Sequence, residues 1–295
     1  MATDTWGKTT PEIQKNWMNI YHKAGIKVLV SAFGATDFPT TDGRNAIDVA
    51  NSLAAFVKAN NLDGVDLDYE DNGAMNQGKG EKWICDCTQR LRQLLPAPYI
   101  ITHAPQGPYF MGPPSYPSGG YTAVEKTCGS GIDWYNIQFY NQDTTKYDTF
   151  TSIFMSSDGW ASGTSVSEIV KKGVAPHKLV VGKGVAAEDV VNTGYLDVNN
   201  FQQILQQGVL NGYTAGYMGW QFSSDPDGAW SRALSPLFPK VSGAVAEGST
   251  FGPPPGPGLE NWQIGLIVAG AGIGIIGAVL LAITVKKRRE RKEVV

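Results

Sequence analysis

Histidine and cysteine are scarce in this 295-residue chain, three of each, and only 17% of its side chains are charged. Cys85, Cys87 and Cys128 are too few for a disulfide-built fold, and none has neighbours at zinc-site spacing. One bridge from Cys85 or Cys87 to Cys128 and three buried thiols both remain open. There is no Asn-x-Ser/Thr sequon, and Met1-Ala-Thr-Asp-Thr-Trp lacks the basic and apolar stretches of a secretory signal. Basic charge is also thin until the chain's end. Residues 286–295 hold six Lys or Arg against two Glu, a net of +4, so of the total of −3 the body carries −7. An acidic body excludes a nucleic-acid partner gripped through its phosphates.

What is present is 42% apolar residues with 35 glycines and 17 prolines, enough for one sizeable core joined by many turns. Apolar strand-like runs occur at 27–34, 64–70, 98–105, 133–141, 178–185 and 214–222. Helical patterns are expected at 11–24, 44–60, up to about Leu95, and near 145–156, 165–173, 197–208 and 227–235. Strands alternating with helices predict βα units and a parallel sheet, an α/β fold.

The run Asp63-Gly-Val-Asp-Leu-Asp-Tyr-Glu70 carries the chemistry. Side chains alternate faces along a strand, so Asp66, Asp68 and Glu70 share one side while Val65, Leu67 and Tyr69 take the other. Three acids on one inner face cannot all ionise cheaply, which favours a retained proton and hence a general acid. A solvated acidic loop would not interleave with Val, Leu and Tyr in this way.

Asp-x-x-Asp-x-Asp-x-Glu resembles the signature of glycoside hydrolase family 18, the chitinases and endo-β-N-acetylglucosaminidases, and the likeness covers roughly residues 9–240. It implies a (β/α)8 TIM-type barrel and a retaining hydrolysis in which the substrate's N-acetyl group is the nucleophile. On that likeness Glu70 protonates the glycosidic oxygen, Asp68 orients the acetamido group, and Asp66 tunes the proton of Asp68. Asp133-Trp-Tyr-Asn-Ile-Gln-Phe-Tyr-Asn141 resembles the sixth-strand motif of plant and fungal class III enzymes. It makes Tyr140 a donor to the acetamido oxygen and Gln138 and Asn141 substrate contacts. Trp220 resembles the tryptophan beneath the sugar, although a core role is open to it. His103 and Gln106 end a strand where they could line the cleft; His103 could equally be a core histidine. Tyr109, Phe110, Tyr116 and Tyr121 would form either sugar platforms or a packed lid. The implied partner is a chitin or N-acetylglucosamine oligosaccharide, with no metal or organic cofactor.

Six strands fall two short of the barrel. The run at 27–34 matches the family's third strand, so the first two βα units, about 60 residues, and a leader are expected to lie upstream of Met1. Ile264–Val285 is 22 residues without a charge, about 33 Å as a helix and enough to span a bilayer. With the basic residues behind it, this predicts a single-pass anchor with an extracellular body. The expected organisation is a barrel over 1–246, a Pro/Gly-rich linker over 247–262, a transmembrane helix over 263–285 and a cytoplasmic tail over 286–295. The leading expectation is a surface chitinase acting in cell-wall remodelling. An endoglycosidase for N-glycans, a sugar-binding lectin and an inactive fragment are the competing ones.

Overall fold

The computed structural model describes Trp6, residues 9–238 and, as backbone, residues 279–283. All six expected strands form: β1 (Val28–Phe33), β2 (Gly64–Asp68), β3 (Ile100–His103), β4 (Trp134–Gln138), β5 (Leu179–Gly184) and β6 (Tyr217–Trp220). With β7 (Val279–Ile283) they make one parallel sheet in the order β6-β5-β4-β3-β2-β1-β7. Each of the first six lies beside its neighbour in sequence, the mark of successive βα units. Among the described residues this is part of a (β/α) barrel, an open sheet and not a closed ring of eight.

The helices are α1 (Pro11–Lys23), α2 (Ala46–Ala59), α3 (Asn72–Asn76), α4 (Gly80–Leu94), α5 (Gly120–Cys128), α6 (Val166–Lys171), α7 (Val198–Leu210) and α8 (Ala229–Leu234). Their starts follow the sequence. Thr10 accepts the amide of Ile13 ahead of Pro11, Asn45 caps α2, and the Asp197 side chain accepts from Asn199 and Asn200. Two segments differ from expectation. Near 145–156 the chain makes only a π-helical turn, Thr151–Met155, because Thr149 and Ser152 exchange backbone–side-chain hydrogen bonds that pin the loop ahead of it. Conversely, α5 lies where a loop would continue from the Tyr/Pro-rich stretch. Gly119 and Gly120 let the chain turn into it at φ of 98° and 59°, and a Cβ on Gly120 would sit 2.2 Å from the Tyr109 carbonyl oxygen.

Cys85 of α4 is bonded to Cys128 of α5, with Cα atoms 5.5 Å apart, and Cys87 is a buried free thiol. The bridge therefore staples two helices behind the site-bearing strands.

The transmembrane helix expected over 263–285 falls mostly outside the described residues, as do the 247–262 linker and the 286–295 tail. Within it, Val279–Ile283 is a strand and not helical, paired in parallel with β1 from Val28↔Val279 to Ala32↔Ile283. The cause is local: Val-Leu-Leu-Ala-Ile suits a strand as well as a helix, and the edge of β1 is otherwise unpaired among the described residues. No described helix is long and apolar enough to cross a membrane.

Register sets the site. Ser31 aligns with Asp66, Asp66 with Thr102, and Gly184 with Trp220. Val65 and Leu67 turn to the helical layer, where both are fully buried. Gly64 opens β2 because a Cβ there would meet the Ile100 carbonyl oxygen at 1.8 Å.

Candidate active site

Asp66 lies deepest, 1% exposed, and every neighbour strand supplies it a donor. Ser31 of β1 donates to Oδ2 at 2.8 Å; Thr102 of β3 and Asn136 of β4 donate to Oδ1 at 2.5 and 3.1 Å. Asn136 is itself fixed by the Trp134 indole at 3.0 Å. Burial pushes the Asp66 carboxyl above its ordinary range, and these three hydrogen bonds partly oppose that.

Asp68 ends β2. Its carboxyl is held well above the usual carboxylate range by burial first, then by the charges of Glu70 and Asp66. A side-chain hydrogen bond to Glu70 adds to the same shift, so Asp68 favours its protonated form. Two amides brace this pair. Gln138 Nε2 lies 2.9 Å from Asp68 Oδ1, 3.1 Å from Glu70 Oε1 and 2.9 Å from the Ala104 carbonyl. Gln106 Nε2 donates to Glu70 Oε2 at 3.2 Å. Since an amide nitrogen has two hydrogens, the Ala104 carbonyl takes one and the two carboxylates compete for the other from Gln138. Behind the pair, Tyr69 points away to Phe33, Trp83 and the Thr40 hydroxyl, and Asp71 ties Thr41 to the start of α3.

Tyr140 follows β4 and is buried. Burial, then the charges of Asp68, Glu70, Asp189 and Asp66, hold its phenol well above the ordinary range, so at neutral pH it stays a donor. Its hydroxyl has no hydrogen-bond partner among the described residues. Trp220, at the end of β6 and in register with Gly184, is 39% exposed. The turn after it is held by Asp189, which accepts from Gln221 at 3.2 Å and Ser224 at 2.8 Å.

Two expected site residues lie elsewhere. His103 does not reach the cleft: it is fully buried on the helical side, with Thr88 Oγ1 at 3.1 Å from Nε2 and Tyr121 OH at 3.3 Å from Nδ1. Strand parity explains this, because Thr102 takes the acid-facing position. Asn141, at φ 59°, turns its carboxamide oxygen to the Val191 and Asn192 amides at 2.7 and 3.4 Å, so it braces a loop. Of the aromatics expected as platforms or a packed lid, Tyr109, Phe110, Tyr116 and Tyr121 are all buried and so are packed away from solvent, with Tyr109 stacked on Tyr121 at 6.0 Å. Ser31, Thr102, Asn136 and Asp189 were not anticipated. The first three share parity with the acids or their register partners, a usable signal; Asp189 has none beyond following a strand end.

Burial, followed by the charge of Lys178, lowers the pKa of His103 to about 3. The unfolded chain therefore binds the proton first as pH falls from about 6.5, and native stability is lost over that window. At about 1.4 kcal/mol per unit this is on the order of 5 kcal/mol. His103→Gln is expected to flatten the acid limb of a urea-unfolding profile while leaving substrate KM unchanged; a raised KM with an unaltered profile would return His103 to the cleft.

A buried acid cluster with raised carboxyl pKa values, braced by amides at the carboxyl ends of parallel barrel strands, is the equipment of a glycoside hydrolase. The chain belongs to glycosyl hydrolases family 18, whose family model matches residues 2–230. A family 18 chitinase from Pseudoalteromonas aurantia is 34% identical, with a TM-score of 0.61 over 72% of this chain and 75% of that one. A putative chitinase A from Streptomyces coelicolor (20% identity, TM-score 0.61, 78% and 80% covered) shares the fold. So does a fungal family 18 endo-β-N-acetylglucosaminidase (23%, 0.57, 76% and 75%). No curated protein matches the chain.

Proposed function

We propose that the protein hydrolyses β-1,4 bonds after N-acetylglucosamine in chitin or its oligomers, with retention and with the substrate's acetamido group as nucleophile. The observation that carries this is the Asp68–Glu70 carboxyl pair, which Gln138 bridges and to which Gln106 adds a second amide on Glu70. Glu70 gives its proton to the departing glycosidic oxygen while the acetamido oxygen closes on C1, and the bond from C1 to the leaving sugar breaks. Asp68, hydrogen-bonded to the acetamide N–H, offsets the positive charge that develops on the oxazolinium, and the Tyr140 hydroxyl orients the acetamide. Water then opens the ring at C1, returning a proton to Glu70. Trp220 lies under the sugar's apolar face.

The 34% identity to a chitinase supports this reading, as does the intact terminal Glu of the motif, which a non-catalytic lectin would not need. Incubation with chitotetraose and with a high-mannose N-glycan tests it: cleavage of the first and not the second is expected. Release of the N-glycan alone would move the protein to the endoglycosidases, and binding without cleavage would make it a lectin.

The proposal includes an extracellular body tethered through 263–285, supported by 22 uncharged residues ahead of a +4 tail. In that state Val279–Ile283 leave the β1 edge for the bilayer. The body should resist protease in sealed microsomes; its complete digestion would sink the anchor orientation.

A further inference from the structure

Lys183 of β5 is fully buried, and no part of the chemistry above uses it. Its parity, shared with Val181, places it on the helical side of the sheet. There its ammonium donates to three backbone carbonyls: Phe139 at 2.6 Å, Gly194 at 2.9 Å and Tyr147. All three hydrogens are used and no carboxylate is among the acceptors. The Phe139 carbonyl belongs to the peptide that joins Phe139 to Tyr140.

The two loops so gathered are also closed on their other side. Asn141 donates its amide to the Thr193 carbonyl at 2.8 Å and accepts from the Val191 amide at 2.7 Å. Gly194, at φ 92°, passes so near that a Cβ there would lie 2.7 Å from Tyr140 Cα and 3.0 Å from the Phe139 carbonyl oxygen. Tyr140 is thus set between an ammonium behind and a glycine turn beside it.

We propose that Lys183 is a positioning residue for the reaction: its ammonium locks the 139–147 and 191–194 loops together and so sets where the Tyr140 hydroxyl stands. This rests on the function proposed above for Tyr140. A residue that only filled space at a buried position would be apolar, since an ammonium without a carboxylate partner is costly to bury. That cost is visible here, as burial pulls the Lys183 pKa down to about 7 against the opposing charge of Asp148. A tripod of donors suits three converging carbonyls; the planar fork of arginine does not.

The test uses Lys183→Met, close in volume and without donors, and Lys183→Arg, which keeps the charge. Fluorine NMR of the protein with 3-fluorotyrosine in place of Tyr140 reports the ring's surroundings without any substrate. A shifted or broadened signal is expected in a Lys183→Met protein whose melting stays cooperative. On chitotetraose, kcat should fall about 10- to 100-fold, as for a small misplacement of a reacting group, with KM little changed and no rescue by Lys183→Arg. In a Tyr140→Phe background Lys183→Met should cost nothing further in kcat.

An unmoved fluorine signal, or losses that multiply in the double variant, would overturn the assignment. A moved signal in a protein that never cleaves chitotetraose would uphold the positioning role and sink the chitinase reading instead. If Lys183→Met does not fold, Lys183→Gln, which is shorter and carries two donors in place of three, takes its place with the same expected signal change and non-additivity. Failure of both to fold would make Lys183 part of the scaffold and end the proposal.

Discussion

Glu70→Gln is expected to lower kcat on chito-oligosaccharides by about 10²–10⁴-fold, the usual contribution of a positioned general acid. Gln keeps the shape, and its carboxamide oxygen can still accept from one of Gln138 and Gln106, but it has no acidic proton to give. The substrate contacts proposed for Trp220 and Tyr140 do not depend on that proton, so oligosaccharide affinity should stay within a few-fold by calorimetry. Loss of binding together with turnover would show that Glu70 holds substrate and does not act as the acid. Unchanged turnover would remove it from the mechanism altogether.

Asp68→Asn is expected to do two opposite things: lower kcat by about 10²–10³-fold, as when a preorganised electrostatic group is removed, and stabilise the protein at neutral pH. The second effect follows from the proton. Burial, then Glu70 and Asp66, raise the native Asp68 pKa above its unfolded value. Between the two values the native state binds more protons than the unfolded chain, so stability falls as pH rises through that window. Asn has nothing to ionise and escapes the penalty, for a gain of about 0.5–2 kcal/mol at pH 7, typical of relieving one strained site. Below about pH 4, the ordinary range of the side chain, both states carry the proton and the gain should vanish. Urea unfolding of both proteins at neutral and acidic pH checks this. A variant less stable than the parent at neutral pH, or one that keeps its turnover, would contradict the account.

Much of the fold was legible because each strand is an apolar alternation bounded by turn residues. Leu29, Val65, Ile101, Ile137 and Val181 mark strands that all formed, and the parallel order follows from the helices between them. The acid cluster was legible for the same reason, since period two puts Asp66, Asp68 and Glu70 on one face whatever the neighbours are. The same rule, applied across Thr102-His-Ala-Pro-Gln106, would have separated His103 from Gln106; one points to the helices and the other to Glu70. Asn141 escaped because the strand ends before it and a positive φ re-aims its side chain. Helix α5 was hidden by its own start, where two glycines and a tyrosine-rich stretch resemble a loop until Tyr121 is seen to pack on His103. Asp189 and Lys183 could not be found from spacing, since the Gln221 amide and Ser224 hydroxyl on the one and the three carbonyls on the other are brought near only by the fold.

The central claim is a retaining, substrate-assisted cleavage, and the configuration of the first product decides it. Proton NMR of a chitotetraose digest within the first minutes, before mutarotation, should show the β-anomer at the new reducing end. A product that appears first as the α-anomer would contradict it, because direct attack by water on C1 inverts that centre.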